Sequence, residues 1–548
     1  MEKLRIVFKS PRGLIALAML SCSALTAQAQ TSNPTRVTRG HRVVPTTTAK
    51  VINPGNMQTS PLTSDGASTS PQTMRSSGTQ SLAGLVSITV TPAHSVLTPG
   101  GQQQLLATGI WKNGSMLNIS SIVTWASSAP SVATVSSSGL AQAVGVGTTS
   151  ITASLNSITG FATLVSSRQQ PFSVLFTFKG ENGANPQAGL TVGSQGNFYG
   201  TASTGGAFGL GAIFELAPGS RGSWVETVLY SFEGGPNDGA GPRTPLLLAN
   251  GGGDDNGDLY GMTFAGGPTN NGMVFKLKPD GTELAIYGFT GGTDGGQPYY
   301  GGLVLDSEQN LFGATSSGGD LSCANPDGCG VVFMLNKYHV ATVLHSFAND
   351  PPANQDGSYP YGGVTWNYAG NLYGTTFGGG TGGVGTVFEV GLSGTENVVY
   401  NFSNTTPDGI NPYAGLITDN TGSLYGTTSA TNALAGGFGA VFKINASGHE
   451  SLMHVFTGYP VDGADPAAGL LRDPAGNLYG TTLRGGAYNN GTIFKLDTKG
   501  KETVLYSFTG GTDGAAPMGV LVQDTAGNLY GTTNLGGSGF GVVFKFAP

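Results

Sequence analysis

Charge is what this sequence has least of. Lys and Arg number 24 and Asp and Glu 31 in 548 residues, so 10% of the chain is charged where an ordinary globular domain has about 25%. The net charge is −7, and an acidic protein repels phosphate backbones, which speaks against nucleic acid as a partner; residues 30–82, with Arg36, Arg39, Arg42, Lys50 and Arg75, are mildly basic and could favour an anionic cell surface. Three cysteines are too few for a disulfide-dense scaffold or a four-cysteine metal knot. No apolar run is long enough to cross a bilayer as a helix. Gly-x-Ser-x-Gly, His-Glu-x-x-His and phosphate-loop motifs are missing, which removes the common hydrolase, zinc-protease and nucleotide signatures. What is abundant is glycine, 91 residues or one in six, without the Gly-X-Y period of collagen. With 38% hydrophobic and 9% aromatic residues the chain can bury a large core, and its length allows about three or four domains.

The N-terminus reads as a signal peptide over residues 1–29. Lys3, Arg5, Lys9 and Arg12 precede the apolar run Leu14-Ile-Ala-Leu-Ala-Met-Leu20, and Ala27-Gln-Ala29 supplies small residues for cleavage. Cys22, after Met19-Leu-Ser21, loosely resembles a lipid-attachment site and leaves an anchor as the alternative. Removing four bases and one acid moves the net charge from −7 to −10. Residues 30–82 are rich in Ser, Thr, Pro and Gln and hold no Phe, Tyr or Trp; they cannot bury enough apolar area to offset the entropy of ordering, and are expected to be a disordered stalk. The expected location is therefore secreted, periplasmic or cell-surface.

Residues 83–167 change character. Leu85-Val-Ser-Ile-Thr-Val90 alternates apolar and polar side chains, Pro99-Gly-Gly101 turns the chain, and short strands are predicted at 104–108, 122–125, 131–135 and 149–153. This spacing predicts a β-sandwich. The Trp125-x-Ser127-Ser128 step and the following Val132-Ala133-x-Val135 resemble the core signature of group 2 bacterial immunoglobulin-like domains. That resemblance implies an Ig-like spacer or adhesive unit with Trp125 in its core.

From residue 168 to 548 the chain repeats. Phe198-Tyr199-Gly, Leu259-Tyr260-Gly, Leu311-Phe312-Gly, Leu372-Tyr373-Gly, Leu424-Tyr425-Gly, Leu478-Tyr479-Gly and Leu529-Tyr530-Gly are seven copies, at spacings of 61, 52, 61, 52, 54 and 51 residues. Each copy holds four β-prone runs, the blade count of a β-propeller. The last copy lacks its fourth strand, while a spare strand at 172–178 precedes the first. An all-β protein is expected, with the sandwich followed by a seven-bladed propeller closed by that N-terminal outer strand pairing with 541–546, which removes an exposed edge. The strings GNLYGTT, GTIFKL and TVLYSFTGGTDG resemble the tandem repeats of bacterial exported proteins known as the GloVer type. The resemblance spans 172–548 and implies no catalytic residues.

Two features of the loops between copies are candidates for function. An Asp-Gly-x-x-Pro step recurs at Asp238, Asp294, Asp356, Asp408, Asp462 and Asp513, with Asn182 in the seventh place. It reads as a turn in which Asp bonds its own backbone and Gly takes positive φ; the alternative is a ring of carboxylates that holds Ca²⁺ or polarises a substrate. Three consecutive loops add Tyr299 and Tyr300, Tyr359 and Tyr361, and Tyr413 beside their prolines. Such tyrosines bring apolar area with a polar tip and suit stacking on sugar rings; the bland reading is loop padding.

The remaining signals are structural. Cys323 and Cys329, left alone after signal removal in an oxidising compartment, are expected to form a local disulfide. The stretch Gly251-Gly-Gly-Asp-Asp-Asn-Gly-Asp258 lacks EF-hand spacing and reads as a solvated hairpin extension. Lys276, Lys443, Lys495 and Lys545, with Glu215 and Glu389, share one repeated position and read as a solvated rim. His345 and His454 replace Tyr in fourth strands, and no histidine points to a channel. No cofactor is expected beyond Ca²⁺ at the loop carboxylates, and no metal site or catalytic residue is assigned. The sequence thus favours a monomeric binding or structural protein recognising an extracellular glycan or surface protein, with a polysaccharide-acting propeller enzyme as the alternative.

Overall fold

The computed structural model describes residues 84–166, 171–249, 257–323, 327–348, 356–367 and 370–548, all within one compact unit that runs from Ser81 to Pro548. The expected signal peptide and stalk lie outside the described residues, as do six of the eight residues of the acidic stretch 251–258. Among the described residues there is no α-helix; one 3-10 turn, Ser220–Gly222, interrupts an otherwise all-β chain.

Residues 85–166 form three small sheets around one core. Leu85–Thr91 pairs with Leu106–Trp111 and then Met116–Asn118; His94–Leu97 lies parallel to Ile158–Ser166, followed by Gly147–Leu155 and Thr124–Ser127; Gln102–Gln104, Leu140–Ala143 and Ala133–Val135 make the third. Alternation places Ile88, Val90, Ile151, Ala153, Ala162 and Leu164 inside, with the residues between them less buried or solvent-facing. Trp125 is buried at 9% exposure, and its indole N–H donates to the Ser120 carbonyl at 3.0 Å. The long hairpin Gly147–Leu155/Ile158–Ser166, of which only 149–153 was legible, is the spine of the second sheet.

The repeat folds as seven open antiparallel sheets of four or five strands, with a separate two-stranded pair, Gly463–Ala464 and Arg484–Gly485, beside the sixth. The sixth is typical: Leu471–Arg472, Leu478–Thr482, Thr492–Leu496 and Glu502–Ser507 pair in chain order. Its third and fourth strands slip register between Ile493 and Phe494, a bulge that recurs at the equivalent place in all the sheets. The seventh sheet is assembled from both ends of the repeat region. Val522–Gln523, Leu529–Thr533 and Val542–Phe546 are completed by Phe172–Thr177, in the register Phe172 to Phe546 and Thr177 to Val542.

Second and third strands are buried on both faces, because each sheet packs against two others. Seven apolar clusters each span two neighbouring sheets, and the seventh joins Tyr530 and Val543 of the last sheet to Leu190, Phe198 and Phe214 of the first. The same threonine bond links neighbours: Thr375 Oγ1 donates to Ala414 O at 2.9 Å, Thr427 to Ala468 at 3.0 Å, and Thr532, in the last sheet, to Ala188 beside the first at 3.0 Å. The glycine after each repeat aromatic serves its own sheet. A Cβ on Gly480 would lie 2.5 Å from the ring of Phe494, its cross-strand partner.

Candidate functional site

Tyr299, Tyr300, Tyr359, Tyr361 and Tyr413 come together. They stand on three consecutive loops, ahead of Val304–Leu305, Val364–Trp366 and Ile417–Thr418. Ring centroids lie 4.4 Å apart for Tyr299 and Tyr300, 4.7 Å for Tyr299 and Tyr361, 5.3 Å for Tyr300 and Tyr413, and 6.1 Å for Tyr359 and Tyr361. Phe377 and Phe264 extend the group, and the Arg243 guanidinium sits 4.1 Å above Phe264 and 5.3 Å above Tyr299. Backbone fixes the loops to one another, since Tyr300 N and Gly301 N both donate to Tyr361 O. Tyr413 is the buried floor at 5% exposure, and the other four are half-buried. Burial, then the neighbouring tyrosines, push the Tyr361 and Tyr413 hydroxyls far above their ordinary range, so both are neutral proton donors at any physiological pH. Tyr300 also lines a 210 Å³ cavity whose other walls, apart from Gln187 and Thr365, are Gly, Ala and apolar residues around the first strands of every sheet, among them Gly189, Pro245, Gly415 and Gly519.

The six aspartates are engaged within the protein. Tyr230, Tyr287, Tyr400 and Tyr506 donate their hydroxyls to Asp238, Asp294, Asp408 and Asp513 at 2.9–3.1 Å. His345 and His454 take the tyrosine's place beside Asp356 and Asp462, at 2.8 and 3.1 Å. Loop amides, such as Thr457 N on Asp462 and Ser403 N on Asp408, satisfy the carboxylates further. The turn reading of the glycine needs correction. It has positive φ after Asp294, Asp356 and Asp513 but not after Asp238, Asp408 or Asp462. What all six share is a second-strand threonine against the glycine; a Cβ on Gly409 would meet Thr428 at 2.3 Å and one on Gly357 would meet Thr376 at 2.2 Å.

A second carboxyl reaches four of these junctions from the next sheet, and nothing in the sequence pattern of one copy reveals it. Glu283, Glu396, Glu450 and Glu502 each open a fourth strand. Burial first, and then Asp238 and Asp408 respectively, push Glu283 and Glu450 up to about 7; burial and Asp462 push Glu502 up to about 8. In the first sheet Glu226 meets Asn182, which donates to it at 3.3 Å. In the second sheet's neighbour the place belongs to Ala341, and in the seventh sheet to Phe172, which stacks on Tyr506 at 4.1 Å.

Cys323 and Cys329 are bonded to one another, with Cα atoms 6.2 Å apart. The expected solvated rim is wrong at one position: Lys276 is buried and paired with Asp258 at 2.7 Å, so the acidic stretch ends in an internal ion pair. Lys443, Lys495 and Lys545 lie 5.1–5.6 Å above Tyr425, Tyr479 and Tyr530. A further repeated carboxylate escaped the sequence reading. Asp473 and Asp524, in the turn between first and second strands, accept from Asn477 and Asn528 and from the second-strand tyrosine hydroxyl. Partial burial works against them, but these bonds hold both carboxyls below the ordinary range.

An 80-residue stretch, 15% of this chain and 9% of the relative, is 42% identical to Ice-binding protein 1 of Shewanella frigidimarina; the chain thus spans under a tenth of that protein's length. Among solved structures, a protein of Bacteroides uniformis named as a candidate 6-phosphogluconolactonase is 15% identical with a TM-score of 0.40, over 63% of this chain and 90% of its own. A DUF4784 family protein of Bacteroides caccae is 10% identical with a TM-score of 0.24, over 67% and 95%. At these values neither structure bears on fold or activity. The bacterial Ig-like domain (group 2) model matches residues 86–166, and the Gloeobacter/Verrucomicrobia repeat model matches 139–348, 252–438 and 417–548. The chain belongs to the Gloeobacter/Verrucomicrobia repeat family and carries a group 2 bacterial Ig-like domain ahead of the repeats.

Proposed function

We propose that the seven sheets are the blades of a closed propeller, and that the chain is a secreted or cell-surface binding module whose aromatic patch engages an extracellular glycan or protein. Closure is supported by the seven two-sheet cores, by the cavity that first strands of every sheet line, and by the last sheet's fourth strand coming from residues 172–177. Display outside the cell accords with the Ig-like domain and with the predicted signal peptide. The observation that carries the binding reading is the contiguous patch of five tyrosines on three neighbouring loops, edged by Phe264 and Arg243. Half-buried rings with fixed neighbours offer area at little entropic cost, and Arg243 adds a cation suited to hydroxyl-rich or acidic sugars.

Binding stands ahead of a polysaccharide-acting enzyme because the loop aspartates already serve tyrosine, histidine and backbone donors. A glycan array probed with the full chain tests the reading. Retention should be lost in the Tyr299→Ala/Tyr359→Ala variant with thermal unfolding nearly unchanged. Retention that survives the double substitution would overturn the assignment of the patch, and release of reducing sugar from a bound polysaccharide would favour the enzyme.

A further inference from the structure

We propose that His454, Asp462 and Glu502 form a binding site for one divalent transition-metal ion of the zinc class. The site lies at the junction of the fifth and sixth sheets, where His454 comes from one fourth strand, Glu502 from the next, and Asp462 from the loop between. One ligand atom from each, nitrogen or oxygen, falls within 4.8 Å of the other two, and among the described residues no other group of His, Cys, Asp and Glu does so. His454 Nε2 is 3.1 Å from Asp462 Oδ2. Glu502 Oε1 is buried without a hydrogen-bond partner, as are the equivalent oxygens of Glu226, Glu283, Glu396 and Glu450, so it is the close approach of His454 that sets this junction apart.

The comparison among junctions sharpens the assignment. Four junctions use tyrosine to donate to the aspartate, and tyrosine does that without offering a nitrogen lone pair. Histidine at 454 replaces the hydroxyl with an imidazole that can ligate. Two carboxylates and one neutral imidazole balance the charge of a divalent ion. Three N/O ligands with a position left for water match zinc; calcium, which takes six to eight oxygens, is poorly served. Thr457 N and Oγ1 donate to Asp462 Oδ2 at 2.8 and 3.2 Å and Gly463 N donates to Oδ1 at 2.6 Å, outer contacts of the kind that orient a ligand. Glu502, though not His454 or Asp462, lines a 480 Å³ cleft together with Val461, Lys501, Tyr506 and His94 of the sandwich. At the other histidine junction, His345 and Asp356 are 2.8 Å apart but with Glu396 do not make so close a set.

The test is calorimetric titration of the chelator-stripped full chain with zinc chloride, with calcium chloride as comparator and thermal unfolding as second readout. Wild type should take up one zinc ion per chain and unfold at a higher temperature with zinc than without, while calcium has no effect. His454→Tyr rebuilds the pair that four junctions already use, so it should fold normally, yet lose more than the about 10–100-fold in affinity that an outer-shell defect costs. Glu502→Gln should weaken binding in the same direction and provides the readout if the first variant is unstable. His345→Tyr should bind zinc as wild type does. Absence of stoichiometric uptake, equal affinity in wild type and both His454→Tyr and Glu502→Gln, or loss of binding in His345→Tyr would each overturn the site.

Discussion

The sandwich and the repeat region solve the burial problem in opposite ways. Residues 85–166 gather one core, in which Ile88, Val90, Ile151 and Leu164 point inward from sheets whose other faces meet water. Each repeat sheet instead buries both faces of its second and third strands, and its apolar residues are shared with the sheets before and after it. A sandwich of this kind needs nothing outside itself. A repeat sheet needs two neighbours, so the region should hold together only when every interface, including that between last and first, is made.

The largest expected effect follows from that dependence. Deleting residues 541–548 removes the strand that pairs with both Leu529–Thr533 and Phe172–Thr177; the repeat-region transition should vanish from a calorimetric scan while the sandwich transition remains. Next, Phe388→Ala, at a fully buried ring in the cluster between the third and fourth sheets, should cost about 3–5 kcal/mol and lower only the repeat transition. Trp125→Ala should lower only that of the sandwich. If either substitution moves both transitions together, the two regions are coupled more tightly than their separate cores imply.

Smaller effects sharpen the comparison within the repeat. Reduction of Cys323–Cys329 opens a short ring and should cost about 2 kcal/mol or less, read by denaturant midpoint. For pH, Glu283 and Glu450 bind protons in the folded chain up to about 7 while their ordinary value is 4.5. Between those values the folded state holds more protons than the unfolded one, so stability is greatest below about 4.5 on this account and declines as pH rises toward 7. Thermal midpoints should fall from pH 5 to pH 8, and Glu283→Gln/Glu450→Gln should flatten the slope.

Much of this was legible from residues alone, for reasons that differ by element. The seven aromatic-Gly steps and the spare strand at 172–178 announced four-stranded sheets whose last member borrows from the start, because an unpaired edge had to be satisfied. Tyr299 to Tyr413 could be grouped because their loops occupy equivalent places in consecutive copies. The junction chemistry was hidden. Glu502 lies 40 residues from Asp462 in another copy, so only packing of one sheet on the next brings them together. Lys276 misled for the same kind of reason: its repeated position is half-exposed in the later copies, and only the local Asp258 draws it inside.

The closure itself can be tested in one measurement. Ser173 and Lys545 are cross-strand partners between the first strand of the repeat region and its last, so the Ser173→Cys/Lys545→Cys chain, oxidised at high dilution, should yield by non-reducing mass spectrometry a peptide pair linking 173 to 545 within one molecule. Free thiols at both positions, or links only between different molecules, would contradict a last sheet built from the two ends of the repeat region.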